Sequence, residues 1–546
     1  MSLRKNSLKI LDSDSLKLVT LILLSALVFF RSLSIYFVGD NLDHIDSAWQ
    51  SLTDLSFHYF RPLSVFTLII DKFFWEYDFT GYHLTNLILH TTNTLLVYAL
   101  AKHFFNTRSI AFVSALLFLL HPIHSSSIYW ISGRADMICT GFYLAGLIFF
   151  ISYKKSESKR AMLYSIACYL LALLSKEMAI SFPLVISVFV MIFGFDKGQR
   201  IRDAIRMTWP FWALTAVYLT FRFATAGASI LTGNVHTNID PFILLKNTAA
   251  FLGLLVIPGG HIEIGNFLNT NPLVFLALSI IVIVFLLLFA KLFAKQKELL
   301  FFSFFVLLAI LPVIRLTMRW YLYLPSVGFC LGLGYLFWKL KNLNGHYKKI
   351  AYFLLAVIVL TYSSFLIIEQ NRWLKSGLIS RQVSYQIAEK IAEKKIDKFM
   401  LLSVPAEYKE TPVLIHGLEP IVNFRLRSEF DYSKLVEIKS LTQVSIHGEY
   451  EPAFVRISVI DSISSNLSLK RTNSFFIFPE QQDLISQKAV IKVGTKISYV
   501  THELTVLELN DAGQAIRLNC IIKDLTWEVF EWKSNILMAL KLPKIE

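Results

Sequence analysis

Residues 17–46 read KLVTLILLSALVFFRSLSIYFVGDNLDHID, a nearly unbroken apolar run that ends in a knot of charge. Its first part is long enough to cross a bilayer, since about twenty apolar residues of helix span the hydrocarbon core. Asp40, Asp43, His44 and Asp46 follow within seven residues. Ionisable groups at a membrane boundary are costly without solvent or partners. Two readings stay open for them. The plain one is the solvated start of a loop. The sharper one is a catalytic carboxylate held at the membrane surface beside a lipid-linked substrate. The choice depends on whether other polar groups arrive at the same face.

Working outward, apolar runs recur to about residue 368 in a chain that is 55% hydrophobic, with a mean hydropathy of +0.55. This excludes an ordinary soluble chain and predicts a polytopic α-helical membrane protein. Eleven spans are expected, near residues 16–38, 83–101, 109–129, 135–153, 160–175, 180–195, 207–226, 272–294, 299–317, 322–339 and 350–368. Before the first, Arg4, Lys5, Lys9 and Lys17 give a signal-like polarity. The run is long and no small-residue cleavage site follows, so it reads as an uncleaved anchor. Basic clusters at Lys102/Arg108, Lys154/Lys155/Lys159/Arg160, Lys197/Arg200/Arg202/Arg206, Lys291/Lys295/Lys297 and Lys339/Lys341/Lys348/Lys349 all fall on the N-terminal side of the alternation. The positive-inside rule makes that side cytoplasmic. The net charge of +14 thereby has a topological cause, and nucleic acid is not an expected partner. Residues 242–258 suit a short helix, but a full crossing would put the cluster at Lys291–Lys297 outside. They are expected to be re-entrant or interfacial.

The opposite side then collects the unusual residues. The first external loop, 39–82, holds the acidic stretch, Trp49, His58, Arg61-Pro62-Leu63 and Trp75. Next come His121-Pro122-Ile123-His124, Gly133-Arg134-Ala135-Asp136, Ser175-Lys176-Glu177, and the stretch from Arg315 through Arg319 to Ser326. Each has a plain explanation. Arg134 and Asp136 read as a local pair, Lys176 and Glu177 as a helix end, and the two histidines, with a proline between them, as helix-terminal groups more readily than metal ligands. Together, ionisable residues at several helix ends on one side favour an outward-facing polar site. Cys139, Cys168, Cys330 and Cys520 lack metal-ligand spacing and read as small packing residues.

From residue 369 the chain is expected outside. Residues 378–398 have helical character, and alternating runs at 435–446, 454–460, 474–478, 489–500 and 515–522 read as strands, with turns at 448–451 and 511–513. The division expected is a membrane domain, 1–375, and an external α+β, mainly β, accessory domain, 376–546. The accessory domain contains no residue set that suggests catalysis, so it reads as a binding or positioning module.

The motifs in this order resemble the polyprenyl-phosphate-sugar-dependent glycosyltransferases of the GT-C fold, in the branch of the transmembrane and tetratricopeptide-repeat O-mannosyltransferases and their bacterial relatives. The resemblance rests on Arg61-Pro62-Leu63, Gly81-Tyr82-His83-Leu84-Thr85-Asn86 with Leu89-His90, His121-Pro122-Ile123-His124, Gly133-Arg134-Ala135-Asp136, Ser175-Lys176-Glu177 and Tyr321-Leu322-Tyr323-Leu324-Pro325-Ser326. It covers about residues 30–375. There are departures. The family's paired acids read Asp40-Asn41 here, Ser126 stands where relatives often carry an acid, and Trp320 takes the place of the arginine before Tyr-Leu-Tyr, with Arg319 one position earlier. No 34-residue helical period follows residue 375.

The resemblance implies sugar transfer from a polyprenyl-phosphate donor to a protein or glycan acceptor, with membrane lipid around the donor's tail. Asp40 would be the base for the acceptor hydroxyl, with Asp43 as the alternative. Arg134, Lys176, Arg315, Arg319 and Tyr323 would hold the donor phosphate, and His121, His124, Asp136 and Glu177 would orient these groups. Such chemistry requires no metal and no cofactor, with a divalent cation near Asp40 left as an alternative. A bacterial inner membrane with the site facing the periplasm is expected. Two rival readings remain: a transporter or flippase of a lipid-linked glycan, and a non-catalytic relative acting in glycan assembly.

Overall fold

The computed structural model describes residues 14–54, 60–194, 200–226, 241–257, 296–315, 317–343, 345–432, 434–446, 456–461, 466–470, 475–477, 493–494, 496–498, 502–509, 515–522, 528–533 and 536–539. The chain divides into two compact units, one of residues 1–33 and 47–370, the other of residues 34–46 and 371–546. The second unit therefore takes residues 34–46, which a cut at residue 375 assigns to the first.

Helices dominate the first unit, and ten of the eleven expected windows coincide with one. The eleventh, 272–294, lies outside the described residues. Local chemistry sets several ends. The Asp78 carboxylate accepts from the Thr80 amide at 2.9 Å, opening the helix Phe79–Phe105, and Asn106 closes it in the left-handed conformation. Prolines sit in the first turns of Pro62–Trp75, Phe182–Phe193 and Pro325–Lys341, where a missing N–H costs nothing. Among the described residues, three helical stretches are long and apolar enough to cross a membrane: Asp14–Ser34, Ile131–Ser156 and Gly345–Lys394. A fourth joins Arg108–Leu120 to Pro122–Tyr129 across a bend of 47°. The others fall short of a span by these criteria for two reasons. Some are brief, such as Phe182–Phe193 with 12 residues. Others interrupt their apolar run with polar groups, as His90 and Asn93 do in Phe79–Phe105. Residues Pro241–Val256 form a helix of 16 residues over the stretch expected to be re-entrant or interfacial.

The second unit combines the later part of the helix Gly345–Lys394, a helix at Leu418–Glu429 and two sheets. Its strands are β1 Lys398–Tyr408, β2 Thr411–Pro412, β3 Glu437–Ile446, β4 Arg456–Asp461, β5 Asn466–Lys470, β6 Phe475–Ile477, β7 Lys496–Ser498, β8 His502–Leu509, β9 Ala515–Ile522, β10 Glu528–Lys533 and β11 Ile536–Ala539. One sheet has the order β11-β10-β1-β3-β6, with β2 added to β1, and the other β4-β5-β9-β8-β7. Strand β1 runs parallel to both β3 and β10. Parallel neighbours need a long crossover, and the helix Leu418–Glu429 lies between β2 and β3 in the chain. Phe399, Met400, Leu401, Ile421, Val422 and Leu426 are fully buried. Lys409 and Glu410 have φ of 46° and 66°, the backbone a two-residue hairpin needs between β1 and β2. The turns expected at 448–451 and 511–513, and most of 489–500, lie outside the described residues.

Candidate functional site

The first unit buries acid–base pairs drawn from distant motifs. Arg134 Nη1 donates to Asp71 Oδ2 at 2.6 Å, with the two side chains 1% and 6% exposed. Its other donors reach the Ile131, Thr67 and Tyr82 carbonyls at 3.2–3.4 Å, so this guanidinium is fully engaged. Lys176 Nζ donates to Asp136 Oδ1 at 2.7 Å and lies 4.8 Å from the centre of the Tyr321 ring. Arg61 holds Glu177 through two bonds, Nε to Oε2 at 3.0 Å and Nη2 to Oε1 at 2.6 Å. Arg319 Nη1 donates to Glu369 Oε2 at 2.9 Å, and Ser125 Oγ donates to the same oxygen at 3.3 Å.

These partners correct the local pairing of Arg134 with Asp136 and add long-range partners to Lys176 and Glu177, which do stand at a helix end. Arg134 pairs with Asp71 rather than Asp136, because residues two apart on a helix do not face each other. Lys176 and Glu177 each find a separate partner, Asp136 and Arg61. Arg61, Asp136, Lys176 and Glu177 are nevertheless close enough to influence one another's charge. Burial pushes the Lys176 ammonium down, against the pull of Asp136. Burial also pushes the Glu177 carboxyl up, but Arg61 overcomes this and holds it at about 2.

A second network ties the histidine motif to the Tyr-Leu-Tyr motif. The Tyr323 hydroxyl donates to His90 Nδ1 at 2.8 Å and accepts from Asn93 Nδ2 at 3.2 Å, while His90 Nε2 donates to the Leu119 carbonyl. Ser326 Oγ donates to the Tyr323 carbonyl and so accepts from His124 Nε2 at 2.8 Å. His121 Nε2 donates to the Leu255 carbonyl at 3.0 Å. Asn86 Nδ2 donates to the Ile128 and Trp130 carbonyls, holding the turn that leads into Arg134.

Arg319 differs from the other three paired cations. It is 4% exposed, yet Nε and Nη2 have no hydrogen-bond partner among the described residues. Unsatisfied donors on a buried guanidinium cost free energy until an acceptor meets them. Arg315 is half-buried and its carbonyl accepts from Asn247 Nδ2 at 2.9 Å. Trp320 packs at 5.2 Å against Trp130.

Asp40 and Asp43 belong to the second unit. Asp40 is half-buried, with its carboxylate 3.5 Å from His44 Nε2. Asp43 is exposed. Asn41, between them in sequence, is fully buried, and both atoms of its amide lack partners. Among the described residues, no group of three or more His, Cys, Asp or Glu could hold a metal ion.

Sequence reasoning missed Asp71 and Glu369. Asp71 sits in the apolar helix Pro62–Trp75, and Glu369 ends the last apolar run. The signal was available: a carboxylate inside an apolar stretch requires a cationic partner.

No family model matches the chain. It is 35% identical over 133 residues to "Protein O-mannosyl-transferase F38B6.6" of Caenorhabditis elegans, which covers 24% of this chain and 19% of that one. It is 42% identical over 99 residues to "Protein O-mannosyl-transferase TMTC1" of Homo sapiens, covering 18% and 11%. The matched stretch is less than a fifth of the length of either relative. Two solved structures are also similar. ArnT from Cupriavidus metallidurans bound to undecaprenyl phosphate has a TM-score of 0.44 at 14% identity, covering 82% of this chain and 97% of that one. An oligosaccharyltransferase from Archaeoglobus fulgidus has a TM-score of 0.41 at 12% identity, covering 74% and 63%. Over its matched stretch, this chain is similar to protein O-mannosyl-transferases.

Proposed function

We propose that the chain is an integral-membrane glycosyltransferase of the GT-C type. It moves a sugar, mannose by the names of its relatives, from a polyprenyl-phosphate donor to a hydroxyl of a protein or glycan acceptor. The reaction takes place on the non-cytoplasmic face, the periplasmic side in a bacterium, of a bundle that crosses eleven times with residues 369–546 outside. Arg319 carries the reading: a buried guanidinium with two unsatisfied donors suits the doubly acceptor-rich edge of a phosphate.

The chemistry is a single inverting displacement. Asp40 accepts the proton of the acceptor hydroxyl as its oxygen bonds to the anomeric carbon. The bond from that carbon to the phosphate oxygen breaks on the opposite face. The polyprenyl phosphate leaves with the electron pair, and Arg319 stabilises its growing charge. Arg134, Lys176, Arg315 and Tyr323 complete the donor side, while Asp136 holds Lys176, Glu177 holds Arg61 beside it, and His124 braces the turn at Tyr323 through Ser326, with His121 next to it. This division is supported by the pairing of Lys176 with Asp136 and by the network through Tyr323.

The test is transfer of radiolabelled mannose from polyprenyl-phosphate mannose to acid-precipitable protein of a membrane extract, by the purified full chain in liposomes. Transfer is expected, and Arg319→Ala should raise the donor KM at least tenfold. Movement of the intact donor between leaflets without transfer would overturn the enzyme reading in favour of a transporter.

A further inference from the structure

The second unit is assembled around a piece of chain from the other end of the sequence. Ile35, Phe37, Val38 and Leu42 are fully buried in it. Ser380 Oγ donates to the Phe37 carbonyl at 2.7 Å, and the Gly39 amide donates to the Val413 carbonyl at 2.9 Å. The Phe37 ring meets Phe424 edge-on at 6.4 Å, and the Arg425 guanidinium lies 4.9 Å from the centre of the Tyr36 ring.

Two glycines touch this segment where a side chain does not fit. A Cβ on Gly417 would overlap the Gly39 carbonyl oxygen, and one on Gly377 would come within 2.7 Å of the Tyr36 amide nitrogen. Gly39 itself has φ of +56°, and a Cβ there would lie 3.2 Å from Pro412 Cβ. His416, beside Gly417 in the chain, is held at φ of 58°, a conformation non-glycine residues adopt only when their surroundings impose it. The backbone entering Asp40 is thus gripped from both sides.

We infer that Gly417, Gly377 and Ser380 are positioning residues for Asp40. The C-terminal region sets where the carboxylate stands by fixing the four residues before it, Tyr36 to Gly39. The inference rests on the proposed role of Asp40. It makes the accessory unit a determinant of turnover rather than of donor affinity, because a displacement of about 1 Å at a reacting group costs on the order of a hundredfold in rate.

The experiment pairs kinetics with hydrogen exchange in the full chain. Gly417→Ala and the milder Ser380→Ala are compared with Asp40→Asn, and with Gly345→Ala, where a Cβ meets nothing within 4 Å. Amide exchange is followed by mass spectrometry in peptides covering residues 34–46. Faster exchange there is expected in both positioning variants, with kcat for transfer from polyprenyl-phosphate mannose down about a hundredfold in Gly417→Ala and about tenfold in Ser380→Ala. The donor KM should stay within about twofold, and Gly345→Ala should match the unaltered protein. Unchanged exchange in residues 34–46, or faster exchange with an unchanged kcat, would overturn the inference. Inactive Asp40→Asn beside fully active Gly417→Ala would do so too while leaving the base intact. Active Asp40→Asn beside impaired Gly417→Ala would support the grip and remove Asp40 as the group it serves.

Discussion

Arg61 and Glu177, 116 residues apart in sequence, meet fork to fork through bonds of 3.0 Å and 2.6 Å. The pair joins the start of the helix Pro62–Trp75 to the turn before Phe182–Phe193. Two parallel bonds to one carboxylate use the planar guanidinium in a way an ammonium does not reproduce. Arg61→Lys should therefore cost about 1 kcal/mol of stability, read as a lower midpoint of thermal unfolding in detergent.

The same pair gives a pH dependence of definite sign. Glu177 is held at about 2, below its ordinary value near 4.5. A group depressed in the folded state contributes stability that is complete above its unfolded pKa and is lost as pH falls toward the folded one. Between about pH 5 and pH 2, the unaltered protein should lose thermal stability more steeply than Glu177→Gln. Parallel melting curves would contradict the pairing.

Asp71→Ala leaves the Arg134 guanidinium buried without its carboxylate. Breaking one side of a buried pair costs about 3–5 kcal/mol. Replacing both by leucine, Asp71→Leu with Arg134→Leu, should cost less, because no charge is stranded. Thermal unfolding of the two variants decides this, and equal losses would mean that the pair contributes by shape alone.

Asp40→Asn keeps size and most hydrogen bonding but removes the basic oxygen. Transfer should fall by about two to four orders of magnitude, with donor binding little changed. Asp43→Asn should be milder. The reverse pattern would move the base by three residues, and activity in both would remove the acidic stretch from the chemistry.

Tyr323→Phe separates two roles for one hydroxyl. It links His90 with Asn93, so its loss should lower thermal stability. If it also binds the donor phosphate, the donor KM should rise at least fivefold. An unchanged KM would confine Tyr323 to holding the motifs together.

Much of the helical order was legible because apolar runs and their breaks are local properties. The helix expected over 135–153 occurs as Arg134–Ser156, and the strand expected at 515–522 occurs as β9. What was not legible depends on pairing at a distance. Strand β1 begins only three residues after a helix of 50 residues, and its alternation is masked because it is buried in the middle of a parallel arrangement. The helix Leu418–Glu429 carries charge through most of its length, which blurs its apolar face. At the site, the residue types were visible but not the partners. Arg134 and Asp136 stand two apart and point to different carboxylate and ammonium groups, which no reading along the chain alone distinguishes. The membership of residues 34–46 in the second unit was hidden for the same reason: its cause is a set of contacts with residues more than three hundred positions away.

The pairing of the buried cations has a consequence for how an anion would enter. At Arg61, Arg134 and Lys176 a carboxylate already occupies the cation, so an incoming phosphate competes with a resident and gains only the difference between two attachments. At Arg319 two donors are open beside the bond to Glu369, so a phosphate adds to what is there. Entry is an exchange at three positions and an addition at one. Among these four cations, affinity for an anion is therefore concentrated at Arg319.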